Sequence, residues 1–252
     1  MKRKYRWIRD SLCRHDSRLT FAHDPKLPAA VDLRPQCPQV YDQGELGSCT
    51  AEATIAAIEF DLKKAGHDLM LSRLFAYYNG RVTEDSILSD SGCQLRDVIV
   101  GVAEFGAPPE CEWPYVDTNP GPFSVKPPDN VYQDALQHKV TSYQRVEQSL
   151  MQMKMCLAAG YPFAFGFSVY ESFEEDIVAQ TGVLSLPAAF EEPLGGHAVL
   201  CVGYDDATQR FIIRNSWGPA WGQQGYFTIP YAYLIDPSLA SDFWTIRAVL
   251  IP

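Results

Sequence analysis

Apolar residues recur at helical spacing in the first half of the chain and at alternate or continuous positions in the second. In TAEATIAAIEFDLKKAG, residues 50–66, Ile55, Ile58 and Leu62 fall on one face and Gly66 supplies a stop. LSRLFAYYNGR at 71–81 reads as a second helix, and QLRDVIVGVAEFG at 94–106 as a third, with Leu95, Val98, Val102 and Phe105 on one stripe. A breaker-rich run from Asn119 to Asn130 follows, and its PGPFSVKPPDN portion reads as an ordered connection. Beyond it HKVTSYQRV, PFAFGFSVY, HAVLCVGY, RFIIRN and GYFTIP read as strands, with one helix at about 148–159. The pattern predicts an α+β chain with a helical lobe over 27–127, a β-rich lobe over 128–252 and a cleft between them.

One cysteine stands at a junction in this pattern. Cys49 follows the Gly-rich turn formed by Gly44, Gly47 and Ser48 and opens the first helix. There the positive end of the helix dipole favours a thiolate and makes a better nucleophile. A small buried apolar residue is the competing reading.

The chain between His197 and Asn215 reads as a hairpin, HAVLCVGY and RFIIRN joined by DDATQ, whose midpoint is residue 206. In an antiparallel pair the two residues then face each other, and the Asn amide oxygen can fix one imidazole nitrogen while the other faces sulfur. Trp217 is positioned to cover that hydrogen bond. An ordinary strand-end histidine and a core tryptophan are the alternative.

QGELGSC, GGHAV and RNSWG together resemble the papain family of cysteine peptidases, over residues from about Leu27 to the end. LSRLFAYYNGR and GYFTIPYAYL look like the corresponding stretches of bacterial members. The resemblance implies a papain-like fold, helical lobe plus antiparallel β-barrel-like lobe, with the site in the interlobe cleft. It implies Cys49 as nucleophile, His197 as general acid/base, Asn215 as orienting residue and Gln43 as oxyanion-hole side chain. Leu46 stands where the family has a disulfide-forming Cys, and Thr50 where an aromatic usually follows the nucleophile, so the usual corner disulfide is not expected. Cys93 aligns with a cleft-lining glycine, with Gly92 beside it. A second thiol near the cleft and a Cys93–Cys111 bridge are both open. Leu95 and the Gly195–Gly196 pair suggest an open, apolar subsite, which makes Gly92, Cys93, Leu95, Gly196 and Trp217 the substrate-binding candidates. No cofactor is expected, and the remaining cysteines show no zinc spacing.

At 252 residues and 46% hydrophobic, the chain can bury a large core. Residues 1–26 carry eight Lys or Arg and three Asp, net +5, whereas residues 27–252 carry 13 Lys or Arg and 28 acidic residues, net −15. The basic extension is expected to dock on its own acidic body as a removable cover for the cleft, loosening with salt; a solubilising tail is the alternative. The acidic body argues against nucleic acid as a partner. No segment is apolar enough for a secretory signal or a membrane span, which by sequence points to the cytoplasm, whereas family analogy points to secretion. A monomer hydrolysing peptides or proteins through an acyl-enzyme is the expected agent. A Cys-His-Asn acyl transferase with an amine acceptor, and a catalytically silent peptide-binding protein, are the rival readings.

Overall fold

A computed structural model of the chain describes residues 4–11, 13–21, 26–118 and 121–251. Residues 1–3, 12 and 22–25 of the basic extension lie outside the described residues.

The first helix, α1 (Cys49–Lys64), is buried over 13 of its 16 residues, so apolarity on all sides replaces a single stripe. Its small residues Ala51, Ala53, Ala56 and Ala57 allow close packing, and its two buried carboxylates are both partnered. Glu52 pairs with Arg73 Nη1 at 3.2 Å, and Glu59 accepts from the Leu71 N–H at 2.7 Å and from the Tyr41 hydroxyl. Burial still pushes the Glu59 carboxyl up to about 7. The helix closes at Ala65, and Gly66 turns the chain at φ 91°. Helix α2 (Arg73–Val82) starts under a Ser72 cap, and α3 (Leu95–Phe105) ends at Gly106, φ 78°. Helix α4 (Asp129–Ala135) falls within and just after the breaker-rich run, and α5 (Leu150–Ala158) is capped by Ser149. Two short helices complete the set, α6 (Asp176–Thr181) and α7 (Tyr231–Ile235), the second packed on the last two sheet strands.

Strands β1 (Trp7–Ile8) and β3 (Cys93–Gln94) form a small parallel pair. The main sheet combines β2 (Ala30–Asp32), β4 (Val140–Arg145), β5 (Phe163–Tyr170), β6 (Pro193–Asp205), β7 (Arg210–Arg214), β8 (Tyr226–Pro230) and β9 (Ala240–Val249). Its order is β4-β9-β5-β6-β7-β8, with β2 added to β6, and it is mainly antiparallel. Among the described residues it does not close, so the barrel-like description is corrected to an open, twisted sheet. Strand β9 escaped the periodicity reading because Phe243, Trp244, Thr245 and Ile246 are consecutively buried, which removes alternation. Helix α1 packs across β6 and β9, bringing its first residue to the start of the β6 hairpin.

Candidate active site

Cys49 is the first residue of α1 and is fully buried. Burial pushes its thiol up to about 11, against the opposing influence of the main-chain N–H groups of Ala198, Arg6 and Thr50. Burial here opposes the thiolate that a helix start favours. Ala198 follows His197 directly, so the sulfur lies against the strand that carries the imidazole.

His197 and Asn215 meet, but not as directly facing residues. Leu200 faces Arg214 and Cys201 faces Ile213, then the register shifts before Gly203 faces Ile212. Asn215, one residue past β7, thus continues opposite Val199, two positions from His197. The gap is spanned diagonally: His197 Nε2 lies 2.9 Å from Asn215 Oδ1. Trp217 stacks on the imidazole with ring centroids 5.1 Å apart and planes 24° apart. Phe173, Trp221 and Phe227 continue the aromatic packing behind it.

Gln43 is also buried, and its amide is fixed at both ends. Nε2 donates to Leu46 O at 2.9 Å, while Oε1 accepts from Ser216 Oγ at 2.6 Å. Gln43 N donates to Ser216 O at 2.9 Å, and Gln43 O accepts from the Tyr115 hydroxyl at 2.9 Å. Ser216 N donates in turn to Asn215 Oδ1 at 2.9 Å. One serine therefore ties the glutamine beside α1 to the asparagine beyond β7. Neither Ser216 nor Tyr115 was singled out from sequence; Ser216 lies inside RNSWG, but a serine there carries no distinctive signal.

The subsite candidates divide. Main-chain Cys93 faces Trp7 in the β1–β3 pair, but its thiol points inward, 3.0 Å from Thr50 Oγ1, and burial pushes it far above its ordinary value. It offers no second thiol to the cleft. Cys93 and Cys111 are both free, so the Cys93–Cys111 bridge is not formed. Leu95 is fully buried in the core. Gly92 and Gly196 lie directly against the N-terminal extension: a Cβ at Gly92 would overlap Arg6 O, and one at Gly196 would come 2.5 Å from Trp7 Cε3.

The extension runs through the site. Tyr5 lies edge-on to His197, centroids 6.2 Å apart, and the same distance from Trp217, with its hydroxyl on Glu174. Arg6 packs against Gly47 and bridges Gly196, and Trp7 is 91% buried. Burying an indole contributes on the order of 4 kcal/mol. The indole Nε1 meets no acceptor, which offsets about 1–3 kcal/mol of that.

Charge holds the extension differently from the simple sign contrast. Lys4 does pair with Asp90 at 2.7 Å. The deeper pairs, however, use the extension's acids: Asp10 with Arg145 Nη2 at 2.8 Å, and Asp16 with Arg145 Nε at 2.7 Å and Arg96 Nη1 at 3.5 Å. Asp10 Oδ2 also accepts from Trp244 Nε1 at 2.8 Å. Such pairs are screened little by salt.

Among the described residues no cluster of His, Cys, Asp and Glu could hold a metal ion, and no helix is long and apolar enough to cross a membrane.

The sequence profile of the papain family cysteine proteases matches residues 27–234. Xylellain, a cysteine protease from Xylella fastidiosa, superposes with a TM-score of 0.90 at 43% identity, covering 96% of this chain and 95% of that one. An uncharacterized peptidase C1-like protein of Acanthamoeba polyphaga mimivirus is 41% identical over 251 residues, 93% of this chain and 80% of the relative. The proform of the ragweed pollen cysteine protease Amb a 11 shares the fold at 22% identity, TM-score 0.68, over 92% of this chain and 69% of that one. The fold is papain-like, and the chain belongs to the papain family of cysteine proteases.

Proposed function

We propose that this cysteine peptidase hydrolyses peptide bonds through a Cys49 acyl-enzyme and is held shut by its own N-terminal extension. The observation carrying the reading is the linkage of Gln43, Ser216, Asn215 and His197 around the Cys49 sulfur. In the open state the Cys49 thiolate attacks the carbonyl carbon, and the carbonyl electrons move onto oxygen. Gln43 Nε2 and the Cys49 main-chain N–H stabilise that oxyanion. Protonated His197 gives its proton to the leaving amine, and water then attacks the thioester with His197 as base, releasing acid and thiolate. Asn215 Oδ1 holds the ring so that Nδ1 serves the sulfur and the leaving group. Gly92, Cys93 and Gly196 contribute main chain to a peptide site between a helical lobe and a sheet lobe, and Trp217 shields the imidazole.

Residues 4–11 occupy this path in the reading proposed here. Tyr5 lies by His197 and Trp217, where a leaving amine must sit to receive a proton, and Trp7 lies on the acyl side. A substrate with its acyl part in that place would run opposite to the extension. Reversed polarity keeps the extension from presenting a cleavable carbonyl to the sulfur in the productive sense.

The test is fluorogenic peptide hydrolysis before and after removal of residues 1–26, with iodoacetamide adducts mapped by mass spectrometry. Hydrolysis appearing on removal, with alkylation at Cys49, is the expected result. Turnover that survives Cys49→Ala overturns the nucleophile, and aminolysis outrunning hydrolysis with added amines would make the protein an acyl transferase.

A further inference from the structure

One end of the Asn215 amide is fully engaged. Oδ1 accepts from the Ser216 N–H at 2.9 Å and lies 2.9 Å from His197 Nε2. A main-chain N–H can only donate, so this end is the oxygen and the other is the NH₂ group. Nδ2 is buried and meets no acceptor among the described residues. A buried donor without an acceptor is costly, and interiors seldom leave one. Asn215 lines a cavity of about 10 Å³ beside α1 and the β6–β7 pair, together with Tyr41, Glu52, Ala53, Ala198 and Arg214. That is room for one water. The buried Glu52 carboxylate brings an acceptor to the same cavity. It accepts from Ser48 Oγ and from Arg73 Nη1, each at 3.2 Å, long for bonds to a charged group, and it has lone pairs to spare. Arg73 is shared, since its Nη2 pairs with Glu110 at 3.2 Å, so one cation serves two carboxylates.

We infer that one water held in this cavity accepts from Asn215 Nδ2 and donates to Glu52, which makes Glu52 a positioning residue that acts on His197 through Asn215. Its use in catalysis rests on the peptidase reading above. The bridge fixes the plane of the amide, and an amide that donates toward an anion is a stronger acceptor at its oxygen. Oδ1 then holds the Nε2–H more firmly in the charged ring, which favours the imidazolium. The groups facing Glu52 are Arg73, Glu110, Ser48 and the Tyr115 hydroxyl. Arg214 is turned to the carbonyls of Pro38 and Gln39, and Glu59, held by the Tyr41 hydroxyl, does not line the cavity. His197 itself is faced by uncharged rings, those of Tyr5, Phe167, Phe173 and Trp217, with Glu174 behind the Tyr5 hydroxyl and the Cys49 thiol kept neutral by burial.

The experiment titrates the imidazole of His197 in the full chain by NMR with isotope-labelled histidine, its signals being identified by their loss in His197→Gln. Glu52→Gln keeps the shape and removes the charge. It should lower the His197 midpoint by at least about half a pH unit and move the Nε2–H proton upfield. Glu59→Gln removes a neighbouring charge that does not line the cavity, and should move the midpoint less than half as far. A crystal structure of the unsubstituted chain should show one ordered water within hydrogen-bond distance of both Asn215 Nδ2 and Glu52, a readout that needs no variant to fold. An unmoved His197 signal in Glu52→Gln, an equal shift in Glu59→Gln, or a dry cavity in the crystal overturns the bridge. None of these readouts needs a substrate. No hydrolysis of any peptide by the uncovered enzyme, with His197 shifting as expected, overturns instead the peptidase reading on which its catalytic use rests. Circular dichroism of each variant keeps misfolding from passing for either result.

Discussion

Tyr5 lies edge-on to His197, ring centroids 6.2 Å apart, and Arg6, the next residue, packs on Gly47 two positions before Cys49, so the extension crosses the turn that presents the sulfur. Burial there raises the thiol, while the main-chain N–H groups beside it lower it. Desolvation is the larger, and the thiol rises to about 11.

Lifting the extension should therefore lower the thiol's pKa, even though one N–H donor leaves with it. In the full chain, iodoacetamide labelling of Cys49 should stay slow at neutral pH and climb only in the alkaline range. A chain beginning at Leu27 should label fast at neutral pH, with peptide hydrolysis following a bell. Superimposable pH–labelling profiles for the two would show that the extension does not set the state of the thiol.

Gln43→Ala should lower kcat by about 10²–10³, the effect of losing one oxyanion donor, with little change in KM. Ser216→Ala removes the hydroxyl that fixes the Gln43 amide and should cost less. In a Gln43→Ala background it should then cost almost nothing more, because the group it orients is gone. Additive losses in the double variant would detach Ser216 from the oxyanion hole.

Asn215→Ala should reduce kcat/KM by about 10–150-fold, corresponding to a hydrogen bond to a charged partner of roughly 1.5–3 kcal/mol. The alkaline limb of the bell should move to lower pH, since the imidazolium loses an acceptor that favours its charged form. An alkaline limb that stays put would mean that Asn215 acts only in packing.

Acid should release the extension only at low pH. Asp90 is pushed up by burial, yet the Lys4 ammonium, the Tyr77 hydroxyl and the Gly47 N–H together hold its carboxyl below the ordinary range. A depressed carboxylate keeps its contribution at all pH above its unfolded value and loses it as pH falls through the folded one. Cys49 labelling in the full chain, measured at neutral pH after brief incubations at lower pH, should thus be flat for incubations between about pH 5 and 8 and increase only below about 4. Salt at neutral pH should change it little, because Asp10 and Asp16 are buried on Arg145. A steep rise with moderate salt would restore simple attraction between a basic arm and an acidic body.

Much of this architecture was legible because it is local. Helices α1, α2, α3 and α5 and strands β4 to β8 carry their periodicity, caps and breakers in contiguous sequence. The hairpin carrying His197 was legible too, but its register was not. The offset arises at the turn: Asp205 faces Arg210, which centres the hairpin between Ala207 and Thr208 and not at residue 206, and the shift between Cys201 and Gly203 takes one position of it back. The polar run DDATQ does not announce which of its residues sits at the centre. The path of the extension was hidden because net charge averages over residues, whereas Trp7, Asp10 and Asp16 act singly, through a buried indole and pairs with Arg145 and Arg96.

All seven cysteines are free thiols, Cys13 and Cys111 exposed and the other five buried. The scaffold around the reactive sulfur is therefore held together without a covalent staple, including the corner before Cys49 where Leu46 fills the position by packing. A reductant strong enough to keep the nucleophile as a thiol leaves this fold nothing to lose, so the melting temperature should be the same with and without it. In oxidising surroundings the sulfurs at stake are the exposed Cys13 and Cys111 and the nucleophile once uncovered, not a bond that holds the chain together.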